Sequence, residues 1–389
     1  MHLQNWPYFT EEQIYLVQSI LRSGKVNYWT GNEGKEFENE YSKWIGSKYA
    51  LTMANGTLSL FSAYSAVGIN NKSEIITTPR SFIATASAAA LLEAKIVFAD
   101  VDRDSGLITP ETIEPQISKN TKAISVVHLA GWPADMPAII KLAKNYNLEV
   151  IEDCAQAHGA MIGNRNVGSF GDISSWSFCQ DKIITTAGEG GMVTTSKKEY
   201  YEFMRSQRDH GKSQKKLNSV DKQIGYRWLH DDFGFNFRLT EIQSAIGRSQ
   251  LILLSEWNKI RTRNAEILFN ELSDLPLLRI PLPKNNLKHA WYKFYVYLNP
   301  EILLEGWNRE RIIYEINESG FPAFSGSCSE LYKEKCFIKM YKDNLPNLKI
   351  AKELGDTSLM FLVHPTITED NIYKYADKIK CVLKKASKA

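Results

Sequence analysis

Apolar residues recur along this chain in two alternating rhythms. Short apolar runs stand at residues 49–53, 75–79, 96–99, 123–128, 148–151, 173–178 and 192–195, and each reads as a strand. Between the earlier runs lie stretches with helical spacing, at 58–67, 87–92 and 136–146, and a helix start at Thr109-Pro110-Glu111, with proline in the first turn. Strand, helix, strand in this order predicts an α/β fold: a mainly parallel sheet with helices on both faces. Ligands in such sheets sit beyond the carboxyl ends of the strands. Gly56, Phe82, Asp153 and Lys182 each follow an apolar run, so all four are expected to meet at that edge.

The flanking segments read differently. Residues 10–23 open with the cap signal Thr10-Glu11-Glu12-Gln13 and carry Ile14, Val17, Ile20 and Leu21 on one face, with Gly24 as the stop. Residues 33–45 are again helical, with Phe37, Tyr41 and Trp44 together. The loop Tyr28-Trp29-Thr30-Gly31 between them either lines a ligand site or packs on a neighbour. Residues 200–208 read as a polar helix, and the polar stretch 212–226 as a substrate lid or a surface loop. A helix from Thr240 continues to about residue 267, and the domain change is placed near Gln250. Pro276, Pro281 and Pro283 then break the chain, HAWYKFYVYL at 289–298 alternates like a strand, and helices close the sequence. The expected organisation is a large domain over residues 1–250 and a smaller α+β domain over 251–389.

Composition narrows the classes. With 389 residues, 43% of them apolar, the chain can bury a large core. A net charge of +3 is too weak to imply nucleic acid, and the basic tail over 378–388 reads as a solvated helix end. Five cysteines, an odd number without a C-x-x-C, favour free thiols in a reducing compartment. The first residues lack a basic and an apolar signal region, and no apolar run approaches a membrane span. The expectation is a cytoplasmic protein that binds neither nucleic acid nor membrane.

The chemistry concentrates in residues 151–193. Asp153 ends one apolar run, Lys182 follows another, and Gly188-Glu189-Gly190-Gly191 precedes a third. A lysine among turn residues can present its amine to a carbonyl and form an imine. A carboxylate at a strand end can hold a pyridinium nitrogen protonated, which makes the ring an electron sink. Together they suggest pyridoxal 5'-phosphate (PLP). Alone, each has an ordinary explanation: a turn-forming Asp, a solvated Lys. Asn55-Gly56-Thr57 between a strand and a helix is a place to hold phosphate on free backbone N–H groups, or a plain strand–helix turn.

Three ordered elements resemble the active-site core of the DegT/DnrJ/EryC1/StrS family of PLP-dependent sugar aminotransferases. That family shows E-D-x-A-Q-A-H-G, S-F-x-x-x-K and G-E-G-G. This chain has Glu152-Asp153-Cys154-Ala155-Gln156-Ala157-His158-Gly159, then Ser177-Phe178-Cys179-Gln180-Asp181-Lys182, then Gly188-Glu189-Gly190-Gly191. Cys154 stands where a small residue is usual. Gly234-Phe235-Asn236-Phe237-Arg238-Leu239-Thr240 and Ser325-Gly326-Ser327-Cys328 resemble further family elements, so the likeness covers nearly the whole chain. It implies the fold type I PLP-transferase architecture and a homodimer. It implies a Schiff base at Lys182, Asp153 on the ring nitrogen and Gln156 on the phenolic oxygen. Phe82 stacks on the ring, and Gly56, Thr57 and Ser177 hold the phosphate, with Asn236 reaching the phosphate of the partner subunit. Substrate candidates are Tyr28, Trp29, Arg80, His210 and Lys212; no metal is expected.

The implied reaction moves an amino group from L-glutamate to a nucleotide-linked keto-deoxy sugar, a 4-keto-6-deoxyhexose, for a polysaccharide or glycosylated metabolite. Family members that dehydrate sugars carry His in place of the lysine, and Lys182 argues against that alternative. A non-catalytic regulator on the same fold would lose part of the set Asp153, Gln156, Ser177, Lys182 and Asn236. A nicotinamide sugar dehydrogenase would show G-x-G-x-x-G after an early strand, which is missing here.

Overall fold

A computed structural model describes residues 3–218, 226–342 and 344–388. Seven strands form the main sheet: β1 (Tyr49–Met53), β2 (Glu74–Thr77), β3 (Lys95–Phe98), β4 (Thr121–Val127), β5 (Glu149–Asp153), β6 (Ile173–Ser177) and β7 (Gly191–Thr195). Their order is β1-β7-β6-β5-β4-β2-β3. β2 to β6 run parallel, whereas β7 is antiparallel to both β1 and β6. The expected α/β fold with a mostly parallel sheet is therefore present, in the architecture of PLP-dependent aminotransferases.

The central strands are buried on both faces, so they read as continuous apolar runs rather than as alternation. Ile75, Ile76, Ile124, Val126, Val150 and Ile151 pack between the helix layers, and each such side chain contributes about 1.5–3 kcal/mol. Helix Glu11–Ser23 starts where the sequence places it: Thr10 Oγ1 accepts a hydrogen bond from the Gln13 amide, and Gln13 Oε1 accepts one from the Thr10 amide. Gly24 ends it at φ 69°, a left-handed conformation that costs other residues energy.

The helix Glu241–Leu272 runs unbroken through Gln250. Just before Gln250, Gly247 lies against Phe37, and just after it Leu254 still joins the Trp176–Phe178 cluster. Downstream, Ala265, Leu268 and Leu272 belong to the core of a second, antiparallel sheet. That sheet has the order Leu278–Arg279, Phe294–Leu298, Ser358–Phe361, Ala323–Phe324.

The strand expected over 289–298 is shorter, Phe294–Leu298. Residues 289–293 pass instead along the turn that follows β4, where Ala290 N and Tyr292 N donate to the carbonyls of Gly131 and Ala130, both at 2.9 Å. Trp291 takes φ 48° to make the crossing, so the alternation there is an accident of composition. Part of the polar 212–226 stretch, residues 219–225, lies outside the described residues; ahead of it stands a short helix, Gln214–Asn218. Among the described residues no helix is long and apolar enough to cross a membrane.

Candidate active site

Val127, Asp153 and Ser177, the last residues of β4, β5 and β6, line one open cleft of about 1150 Å³. Asn55 to Thr57 beyond β1, and Ser81 to Thr85 beyond β2, line the same cleft. Its far wall comes from the second sheet and the crossing segment 289–293, with Tyr292, Lys293, Tyr295, Ser327 and Met360. The parallel strands thus deliver their carboxyl ends to one place, as the topology requires.

Asp153 is 4% exposed. Its Oδ2 accepts from Thr85 Oγ1 at 2.7 Å, and its Oδ1 accepts from the Ala155 amide at 3.2 Å. Ser81 Oγ stands 2.9 Å from Thr85 Oγ1 and fixes that hydroxyl in turn. Burial pushes the Asp153 carboxyl up, against the Thr85 and Ala155 hydrogen bonds and the more distant charges of Lys182 and His128. Among the described residues it has no ion-pair partner. A buried carboxylate held by two donors and lacking a cation is arranged to receive one.

Lys182 hangs from the turn after β6, where its amide donates to Cys179 O at 3.0 Å. Trp6 Nε1 clamps that turn from outside by donating to Lys182 O at 2.8 Å. The ammonium lies 3.3 Å from Tyr292 Oη and 3.5 Å from Asp181 Oδ1. Tyr292 Oη donates to Asp181 Oδ2, so tyrosine and aspartate form a dyad that holds the lysine at the cleft wall. Lys182 holds down the Asp181 carboxyl against the raising effect of burial. The same carboxylate and burial drive the Tyr292 phenol up, so it stays protonated.

Gly56 begins the helix Gly56–Ala66, whose cap is Asn55, accepting from the Leu58 amide at 2.9 Å. A Cβ at Gly56 would sit 2.7 Å from Ser177 Cβ, so only glycine lets β6 and the helix start close together. The first amides of the helix and Ser177 Oγ then face one spot, a cradle for an anion. Gln156 is held by its Oε1 accepting from the Ala130 amide at 2.7 Å. Phe82 lies along the cleft and is 65% exposed in the single chain.

The residues expected to bind cofactor therefore gather in one cleft, except Asn236, which is exposed and bridges Asp209 away from it. The substrate candidates do not line it. Arg80 is buried, donating to Tyr297 Oη at 2.7 Å with its guanidinium 5.1 Å from the Tyr295 ring centre. Tyr28 is buried against Arg208, donating to Glu38. Trp29 lies under the Lys212 ammonium in a separate small hollow. His210 is exposed at φ 57°. Conversely, Thr85, Asp181, Tyr292 and Lys293 escaped the sequence reading. Thr85 sits three residues beyond the aromatic Phe82 and was within reach of it, whereas Tyr292 lies 110 positions from Lys182 and carries no local signal.

Outside the cleft, His128, Glu152 and Cys154 bring ligand-type atoms close together. Glu152 is spent already: it accepts from His128 Nε2 at 3.1 Å and from the amides of Gly168, Phe170 and Gly171. The group fastens β5 to the following turn.

The donor set fits PLP on features of this structure: the uncompensated Asp153 carboxylate, the cradle that a Cβ at Gly56 would fill, and a lysine amine within the same cleft. Over residues 7–380 the sequence matches the DegT/DnrJ/EryC1/StrS aminotransferase family. The UDP-N-acetyl-3-dehydro-α-D-glucosamine 3-aminotransferase of Acidithiobacillus ferrooxidans is 34% identical over 358 residues, covering 92% of this chain and 90% of that protein. The X-ray structure of an aminotransferase from Psychrobacter cryohalolentis has a TM-score of 0.96 at 47% identity and covers 99% of each chain. Helicobacter pylori PseC, an aminotransferase involved in the biosynthesis of pseudoaminic acid, has a TM-score of 0.90 at 26% identity, covering 99% of this chain and 100% of that one.

Proposed function

As a member of the DegT/DnrJ/EryC1/StrS aminotransferase family, this chain is a PLP-dependent sugar aminotransferase, and we propose that it moves the amino group of L-glutamate to a nucleotide-linked keto sugar. The observation that carries the residue assignment is the pairing of Asp153 and Lys182 across one cleft. When bound, PLP supplies an aldehyde that captures amines and a ring that draws electrons from the adjacent carbon. Lys182 holds the cofactor through Nζ. Once displaced by the donor, that amine would take the proton from the donor Cα and pass it on within the first half-reaction, and would run the same transfer in reverse to protonate the sugar carbon in the second, as base and acid in each. The Tyr292–Asp181 dyad keeps Nζ at the cleft wall between these transfers. Asp153 keeps the ring nitrogen protonated, and Thr85 keeps Asp153 in place.

Gly56, Thr57 and Ser177 hold the phosphate in this reading, with Asn236 of a second copy completing the cradle of a homodimer. Phe82 covers one face of the ring, and Gln156 sits beside its phenolic oxygen. Residues 1–250 then form the cofactor-binding domain, and 251–389 a smaller domain that supplies the far wall. Tyr28, Trp29, His210 and Lys212, away from the cleft of their own chain, contact substrate only across a dimer interface. Arg80 supports the wall from behind.

A 4-keto-6-deoxyhexose is the acceptor expected from the sequence. The A. ferrooxidans relative supports a second acceptor, since its name places the carbonyl at C3 of UDP-N-acetylglucosamine. Both sugars, offered with L-glutamate and followed by mass spectrometry, test the choice: a product one amino group richer identifies the acceptor. Failure with every nucleotide-linked keto sugar contradicts the proposed acceptor class.

A further inference from the structure

The reaction proposed above brings two anionic substrates to one cleft. The amino donor carries carboxylates beside its reacting nitrogen. The nucleotide sugar carries its diphosphate on the far side of the sugar ring from the keto group. Among the described residues, the cationic side chains lining the cleft are Lys182 and Lys293. Lys182 is committed to the cofactor. Lys293 is free: it makes no hydrogen bond or ion pair among the described residues. The nearby Asp181 carboxylate is already engaged by Tyr292 and Lys182.

The position of Lys293 is fixed by the fold. It immediately precedes the strand Phe294–Leu298, after the crossing segment pinned to Ala130 and Gly131. Its ammonium lies 4.8 Å from the centre of the Tyr292 ring, and the Lys182 ammonium lies 4.9 Å from the same centre. One aromatic ring thus contacts both cations at the wall of the same cleft. Burial lowers the Lys293 pKa to about 8, helped by Arg261 and Lys182 and opposed by Asp181, so a bound anion would favour its charged form.

We propose that Lys293 is the carboxylate-binding residue for the amino donor, holding a carboxylate while the amino group reaches the position of Lys182 Nζ. The inference rests on the aminotransferase reading with L-glutamate as donor. A single charge-assisted hydrogen bond of this kind is worth a change in donor affinity of about tenfold or more.

The test uses holoenzyme of the wild type, Lys293→Met and Lys293→Arg. Each is titrated with L-glutamate while the cofactor absorbance is followed, and with glutarate by calorimetry, a dicarboxylate that has no amine to react. The expected result is an unchanged cofactor band in Lys293→Met with half-conversion at about tenfold higher L-glutamate. Glutarate binding weakens in parallel, Lys293→Arg stays near the wild type, and the half-reaction with the nucleotide-linked keto sugar keeps its concentration dependence. Unchanged L-glutamate and glutarate titrations in Lys293→Met overturn the inference alone. A loss confined to the keto-sugar half-reaction also overturns it and hands the lysine to the diphosphate. A wild type whose absorbance does not respond to L-glutamate overturns the donor reading and this inference with it.

Discussion

Asp153 shows how one residue can be strained in the free protein and apt in the loaded one. Its carboxyl is raised by burial, so the folded apoprotein binds that proton more tightly than the unfolded chain. The stabilisation from this group is fully present below the ordinary carboxylate pKa and lost as pH rises through the raised value. Ionisation of Asp153 therefore weighs against the apo fold. Asp153→Asn should leave the apoprotein at least as stable as wild type at pH 7–8 in denaturant melts, while cofactor affinity drops at least about a hundredfold. An apoprotein clearly destabilised by the change would mean that Thr85 and Ala155 already compensate the charge. Gly56→Ala tests the cradle: the added Cβ meets Ser177 Cβ, so stability should fall by about 1–3 kcal/mol and the cofactor should leave faster. Asp153, Lys182 and Gly56 were legible because each sits within a few residues of an identifiable turn. Tyr292 and Lys293 were not, because their roles come from an irregular segment that crosses to the turn after β4. Arg80 was expected at the substrate because nothing near it in sequence announces Tyr295 and Tyr297.

Among the elements, the Gly188–Gly191 stretch and the helix from Glu241 depend on each other. Gln243 completes the capping box with Thr240 and donates from Nε2 to Glu189 O at 2.8 Å. Gln243→Ala removes both the reciprocal cap and the loop tether. A loss of about 1–2 kcal/mol is expected. Faster amide exchange at 189–191 should accompany it, read by mass spectrometry; unchanged exchange would show that the loop is held by Thr186 and Gly190 alone. The strand and helix sequence of the main sheet was legible because buried parallel strands are uniformly apolar and each is closed by a turn. The reversed direction of β7 was not, since an apolar run carries no arrow. The strand at 289–293 was misread because alternating aromatic residues mimic a pleat whether or not a neighbour pairs with them.

For the whole molecule, the single chain leaves Phe82, Phe233 and Phe235 exposed and turns Asn236 away from its own cleft. The homodimer with shared sites proposed above would account for both. If so, Lys182→Ala and Asn236→Ala, each inactive alone, should regain about a quarter of wild-type activity after denaturation and refolding together, because half the dimers are mixed and each has one intact site. No recovery in a mixture shown to form mixed dimers would place Asn236 outside the shared site. The central claim, that Lys182 and Asp153 handle an amino group on PLP, is tested most directly by the absorbance spectrum of purified protein before and after L-glutamate. The account predicts an imine band that shifts to the amine form of the cofactor on adding L-glutamate, and its loss in Lys182→Ala. A protein that shows no such band even after incubation with PLP, or a Lys182→Ala variant that keeps it, would contradict the account.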